Sequence, residues 1–496
     1  MLNDLFGKNF KTVFLAIIIV ELLSFWAQQF FWLNVAVFAA VVVLALVLSW
    51  IKLDYGFYLV LTELFIGSKG YLFYAEVDGF RLSLRIGLFL AVMAVWLIKA
   101  CRDQHLLFFR GSNRYLFYYL GLGLFVMLAA LNGLAHQPFG QVFFDANGWL
   151  YFLYLPVFFS VLSRTTAIRN FLAFLFAAAI YLSLKTLLLL VIFAHQFSLP
   201  LDVIYRWVRQ SGVGEITYVG GNFYRIFFQA HVYVLIALVV SLALILFARK
   251  LNLNRSVVKW LRLNAVLGST AIVASLSRSF WVGLAVAVCL LLSSYIFYLR
   301  PRPIDFFKLG LAWLVIATAE VMFLNLITLN FNGNLIQDRL HDPTTEAAGS
   351  SRLAQLQPLF RASLSEPLLG AGFGRAVTYI SNDPRIRQEF KDGRYSTYAF
   401  EWGYLDIWLK IGLLGLLSYL ALFVKVVKDG RLIIAGRTEN AGLAVGLLVA
   451  LVAVAATSVF SPYLNHPLGI GYILIVSAVF YRLTENYGTS QNKTSR

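Results

Sequence analysis

The chain has 496 residues, of which 60% are hydrophobic and 13% charged, and its mean hydropathy is +0.76. Its charged share is about half that of a soluble domain, and its apolar residues form continuous rather than alternating runs, which excludes a water-soluble globule and a β-barrel. The net charge of +17 is what Lys and Arg in topology-setting loops of an inner-membrane protein produce, so nucleic acid is not needed to explain it.

Taken in chain order, apolar runs fall at 12–28, 32–50, 54–67, 84–99, 115–134, 148–163, 170–194, 226–248, 263–277, 280–299, 309–328, 403–424, 440–458 and 467–482. A helix of about 20 apolar residues spans the hydrocarbon, so the expected fold class is an all-α polytopic membrane protein with about fourteen transmembrane helices. The runs 54–67 and 263–277 are short, which suits broken or re-entrant segments. The first run follows Lys8 and Lys11 but contains Glu21 and leads directly into a second run, so it reads as an uncleaved helix.

The loops orient the chain. One set carries Lys99, Arg102, Arg110 and Arg114, then Arg164 and Arg169, then Arg249 to Arg262, Arg300 to Lys308, and Lys425 to Arg437. The opposite set, around 29–31, 135–147 and 459–466, has no Lys or Arg. Both termini are therefore expected in the cytoplasm. Four regions follow: N-terminal transmembrane (1–225), central transmembrane with a hairpin at Arg278 (226–328), extracytoplasmic loop (329–402), and C-terminal helices with a cytoplasmic tail (403–496).

The long loop contains "NGN", "HDPTTEAAGSSR", "GAGFGR" and "SNDPRIRQEFKDGRYSTY". Inside it, Leu353, Leu356, Leu359, Phe360 and Leu364 recur at helical spacing, which predicts a packed amphipathic helix in an ordered lid. "GAGFGR" lacks the Lys-Ser/Thr of a phosphate loop and reads as a tight turn. A second outer segment, 195–225, has its own amphipathic piece, "LDVIYRWVRQ". Cys101 and Cys289 are too few for a disulfide framework, and the six histidines show no metal-ligand spacing, so neither metal nor cofactor is expected.

With the cytoplasmic charges set aside, Arg85, Arg225, Arg278 and Arg352 remain at or beyond the outer face, with Arg81, Arg361 and Arg375 nearby. The fork of a guanidinium bonds two phosphate oxygens at once, so as a group they point to a polyanionic ligand. Each alone is compatible with snorkelling or a loop salt bridge. Lys185, inside "YLSLKTLLLL", must pair or face water. Tyr205, Trp207, Tyr218, Tyr395, Tyr398 and Trp402 are candidates to stack on sugars or to anchor helices at the interface.

Three stretches resemble the O-antigen polymerase and O-antigen ligase superfamily of bacterial inner-membrane glycosyltransferases. They are "IVASLSRSFWVGLAVAV", "SRLAQLQPLFRASLSEPLLGAGFGR" and "EWGYLDIWLKIGLLGLLSYL", which together cover roughly 220–425. The resemblance implies a fold of the glycosyltransferase-C type. It also implies an undecaprenyl-diphosphate-linked oligosaccharide as donor, transfer to a hydroxyl with inversion, and no metal. Membrane lipids, and a flippase and chain-length regulator, are the implied partners, and the inner membrane the implied location, with an active site on the outer face. Arg225 and Arg278 match the family's diphosphate-binding arginines, Arg352 matches its loop arginine, and Arg85 is expected to assist.

There is one departure. Ligases carry a His-Asn pair eleven residues before the Gly-Leu-Leu-Gly signature, and here that register holds Glu401 and Trp402. A desolvated carboxylate can serve as general base. Glu401 is also placed to stabilise a helix N-terminus. Loss of the histidine favours a polymerase over a ligase that attaches a finished glycan once to a lipid or protein acceptor. A transporter or flippase is the alternative from another class, and it would call for repeat symmetry and midplane broken helices.

Overall fold

A computed structural model describes residues 2–77, 80–102, 113–329, 347–436 and 439–494. Arg110, Arg437 and loop residues 330–346, with their "NGN" and "HDPTT" sequences, lie outside the described residues. The first half runs α1 (Lys8–Ala27), α2 (Phe31–Ile51), α3 (Leu53–Ile66), hairpin β1–β2 (Tyr74–Val77, Phe80–Ser83), α4 (Leu84–Arg102), α5 (Asn113–His136) and α6 (Phe139–Ala146). A 3₁₀ turn (Trp149–Tyr154) leads into α7 (Leu155–Leu162) and α8 (Thr165–His195). There follow α9 (Leu201–Gln210), hairpin β3–β4 (Gly214–Gly220, Phe223–Phe228), α10 (His231–Leu246), α11 (Arg255–Ala274), α12 (Arg278–Ser294) and α13 (Pro303–Thr328). The long loop holds α14 (Ala347–Ser365), β5 (Val377–Ile380), α15 (Pro384–Glu389) and β6 (Arg394–Thr397), before α16 (Gly403–Ala435), α17 (Ala441–Thr457) and α18 (Pro467–Thr494).

Ten of these helices are long and apolar enough to cross a membrane, or eleven if α6 and the segment Trp149–Leu162, bent by 48°, form one broken span. The expected count of about fourteen is reached only if that pair, α10, α17 and α3 all cross. These last three have 16, 17 and 14 residues, and at 1.5 Å per residue even α17 is only about 26 Å long. Two boundaries also differ from expectation. The short run 263–277 is the end of a 20-residue helix that starts in the basic stretch at Arg255, and the run 148–163 opens with the 3₁₀ turn Trp149–Tyr154 and is bent by 48° against the preceding α6.

Helices that are apolar all round belong inside a bundle. Accordingly α10 and α17 are buried along nearly their whole length and pack on each other, with α11 against α10 and α12 against α17. By contrast α2, α12 and α13 show most of their surface, as a lipid-facing rim does. Lys185 meets Glu21 at 2.8 Å with both side chains buried, and its ammonium lies 4.4 Å from the Trp207 ring and 4.8 Å from the Phe228 ring. That pair ties α1 and α8 to α9 and β4.

Among the described residues, three two-stranded antiparallel hairpins add small strands to an otherwise α-helical fold. They and residues 347–402 of the long loop lie at the helix ends opposite those that lead into the basic loops, called here the hairpin end. α14 forms where the leucine spacing predicts a helix, but it buries Gln355, Leu359 and Ser363, leaving Leu353, Leu356, Phe360 and Leu364 exposed. Most of its apolar stripe is thus exposed, although Phe360 meets the Trp408 ring edge-on, and the small core beneath it sets Leu359 against Ala371, Phe400 and, from α16, Leu409.

The "GAGFGR" turn is tight, as expected: Gly370, Gly372 and Gly374 all have positive φ. It threads against a kink in α16 at Gly412 (φ 73°, ψ 175°). A Cβ on Gly412 would lie 2.2 Å from the Leu368 carbonyl oxygen. Gly412→Ala is therefore expected to lower stability by about 1–3 kcal/mol from backbone strain, and by more from the clash. Thermal unfolding in detergent checks this, and an unchanged midpoint would remove the kink from the account.

Candidate active site

Arg225 stands on β4 opposite Thr217, where the short hairpin carries it over the α11–α12 turn. In that turn Leu276 adopts a left-handed conformation (φ 45°), and the Ser275 carbonyl accepts a hydrogen bond from Arg225 Nε at 3.0 Å. The guanidinium also lies 4.9 Å from the Phe227 ring. Arg278 opens α12 directly after Ser277. A helix N-terminus repels cations and attracts anions, so a guanidinium there gains most when an anion joins it. A line of hydroxyls runs alongside, with Ser277 3.1 Å from Ser279 and Ser279 3.0 Å from Ser461.

Arg352 comes from α14 and completes the group. Its backbone carbonyl accepts the Trp402 indole N–H at 2.8 Å, and its guanidinium forms an ion pair with Glu401. Burial, and then the fields of Arg225 and Arg278, bring the Arg352 pKa down to about 10. Arg225 is likewise pushed down by burial and by Arg278, against the pull of Glu215 and Tyr463. Glu215 is itself tied to Arg209 at 2.9 Å. Tyr463 is buried beneath, donates its hydroxyl to the Gln229 carbonyl at 3.2 Å, and packs on Phe280 with ring centroids 5.7 Å apart.

The structure therefore brings Arg225, Arg278, Arg352 and Glu401 together from four separated stretches. Burial first, and neighbouring guanidiniums second, lower Arg225 and Arg352, a clustering of positive charge that an anion would relieve. Glu401 differs from the desolvated base expected: its side chain is 43% exposed and held by Arg352. Arg85 lies apart from the group, buried and bonded to Glu63 through Nε (2.9 Å) and a terminal nitrogen (2.8 Å). Arg81 pairs with Glu76, and Arg361 and Arg375 are exposed on the loop.

Sequence reasoning missed what fastens the loop. Lys410, buried in α16, bridges Asp145 of α6 and Asp406, the latter at 2.6 Å, and Asn465 bonds Asp406. Asp145 also accepts the Gly374 N–H at 2.8 Å. The available signal was Asp406 and Lys410 four residues apart inside an apolar run. Among the described residues no three His, Cys, Asp or Glu side chains gather to hold a metal ion.

Residues 263–420 match the family model described as O-Antigen ligase. The match supports the O-antigen ligase and polymerase superfamily. It runs from α11 into α16, so it contains Arg278, Arg352 and Glu401 but neither Arg225 nor Arg85. No curated protein matches the chain. With the many apolar helices, the match supports an integral membrane protein of polysaccharide biosynthesis and an O-antigen ligase- or polymerase-type function on lipid-linked glycans.

If the cluster is an anion site, inorganic diphosphate should raise the unfolding temperature of the wild type, since a ligand bound only to the folded state stabilises it. The gain should shrink in Arg225→Gln. An equal gain in both proteins would place the anion elsewhere.

Proposed function

We propose that this chain is a polysaccharide polymerase of the bacterial inner membrane. It moves a growing glycan from undecaprenyl diphosphate to a hydroxyl of the next lipid-linked repeat unit. Its helices cross about fourteen times in a glycosyltransferase-C-like fold, both termini are cytoplasmic, and the hairpin end faces outward. A flippase delivers the repeat units and a chain-length regulator works alongside. What carries the reading is the convergence of Arg225, Arg278 and Arg352 beside Glu401.

In this reaction the acceptor oxygen attacks the anomeric carbon from the face opposite the diphosphate. The bond from that carbon to the diphosphate oxygen breaks, and the configuration inverts. Charge develops on the leaving diphosphate, where preplaced guanidiniums, and no metal, stabilise it. The acceptor proton passes to Glu401. The diphosphate competes with Glu401 for Arg352, so binding of the donor releases the carboxylate to act as base. Arg85 acts away from the leaving group.

The matched family's description as a ligase favours a second reading, in which one finished glycan is attached to a lipid or protein acceptor. Product length separates the two. Purified protein, given a short-chain lipid-diphosphate-linked oligosaccharide without nucleotide sugar or metal, is expected to yield a ladder with released lipid diphosphate. A single addition to a supplied acceptor would decide for the ligase, and no product with any acceptor would send the question to transport assays.

A further inference from the structure

Arg85 does not stand alone. It lines a cavity of about 560 Å³, with Lys69, Tyr71, Asn147, Tyr151 and His466 among the polar walls. Lys69 also lines a second cavity of about 350 Å³, which reaches Phe227 and Gln229. Phe227 carries the Arg225 guanidinium on its ring, and the Gln229 carbonyl accepts the Tyr463 hydroxyl. Lys69 is thus a divider between the Arg85 cavity and the flank of the arginine cluster. It is held there by its neighbours: Ser68 bonds the Val213 carbonyl at 2.7 Å and accepts the Ala230 N–H.

The polar walls suit an anion. Among the described residues, no carboxylate lies within salt-bridge distance of Lys69. Tyr151 is 3% exposed, and its buried hydroxyl has no hydrogen-bond partner. Buried polar atoms are rarely left unmade, so such a hydroxyl marks a place for an absent partner. His466 accepts the Leu468 N–H on Nδ1, which leaves Nε2 as the donor nitrogen of the neutral ring. Glu63 fixes Arg85 and balances its charge. The apolar walls point to a tail: Leu90, Phe139 and Leu150 line the same cavity and are 56%, 69% and 44% exposed at the side of the bundle.

We propose that this cavity is a second subsite, which takes the diphosphate of the acceptor lipid-linked glycan while Arg225, Arg278 and Arg352 hold that of the donor. The proposal rests on the polymerase reading. It accounts for the different chemistry of the two sites. The donor diphosphate gains charge as it leaves and calls for several preplaced cations. The acceptor diphosphate undergoes no change, so one lysine and neutral donors suffice to orient it. Entry through the apolar side wall admits the polyprenyl tail, and Lys69 directs the head toward the cluster.

Native mass spectrometry of the full chain with undecaprenyl diphosphate tests this. The wild type is expected to bind two lipids and Arg225→Gln one. Lys69→Gln and Leu90→Trp, both on exposed side chains and therefore foldable, are each expected to bind one, with at least a tenfold loss of affinity for the second. One lipid on the wild type, lost in Arg225→Gln and untouched in Lys69→Gln and Leu90→Trp, would overturn the second subsite and leave the donor site standing. Two lipids retained by Arg225→Gln would instead count against the donor site. Inorganic diphosphate separates a lipid headgroup from a free anion: protection of Lys69 by inorganic diphosphate but not by the lipid would overturn the proposal.

Discussion

Glu401→Gln is expected to slow polymer formation by about 10²–10⁴-fold, the usual worth of a positioned general base. The substitution keeps the shape of the side chain and one acceptor oxygen for Arg352, its ion-pair partner, so the loop should stay docked. Binding of the lipid diphosphate is expected to persist, because Arg225, Arg278 and Arg352 are untouched. The informative result is this split, with donor bound and no ladder formed. A full-length ladder from the variant would take Glu401 out of the reaction and leave it as an anchor for Arg352.

Lys410→Met is expected to lower stability by about 3–5 kcal/mol, as removal of one partner from a buried ion pair does. Lys410 is 4% exposed, and its carboxylate partners Asp145 and Asp406 are 7% and 2% exposed. Without the ammonium, two carboxylates remain buried with only Asn465 and the Gly374 N–H to hold them. The same backbone region holds the loop, since Ala371 N–H bonds the Leu409 carbonyl at 2.7 Å and Gly372 N–H bonds that of Lys410 at 3.2 Å. A lower unfolding temperature should therefore come with faster proteolysis around 366–376. Adding Asp145→Asn and Asp406→Asn is expected to recover most of the loss. An unchanged midpoint in Lys410→Met would refute the clamp.

Legibility differed from element to element. α1, α2, α4 and α13 were plain from hydropathy, because a helix in lipid must be apolar along its length. α3, α10 and α17 were equally visible as apolar runs, yet hydropathy does not tell a short crossing from a buried core helix. The amphipathic spacing of 353–364 located α14, but of its stripe only Leu359 is buried. A stripe of leucines marks an apolar environment without saying whether protein or lipid supplies it. Lys185 announced that it needed a partner, and only packing of α1 on α8 supplied Glu21.

The arginines divide along the same line. The sequence by itself determined a polytopic helical protein, the side bearing the basic loops, the long loop before α16, and a surplus of arginine opposite those loops. These are properties of local composition and of the bilayer as solvent. Tertiary structure alone decided that Arg225, Arg278 and Arg352 meet, that Glu401 sits on Arg352, and that Arg85 belongs to another cavity with Lys69 and His466. Convergence depends on how distant segments are juxtaposed, and the charge of a residue carries no record of its neighbours.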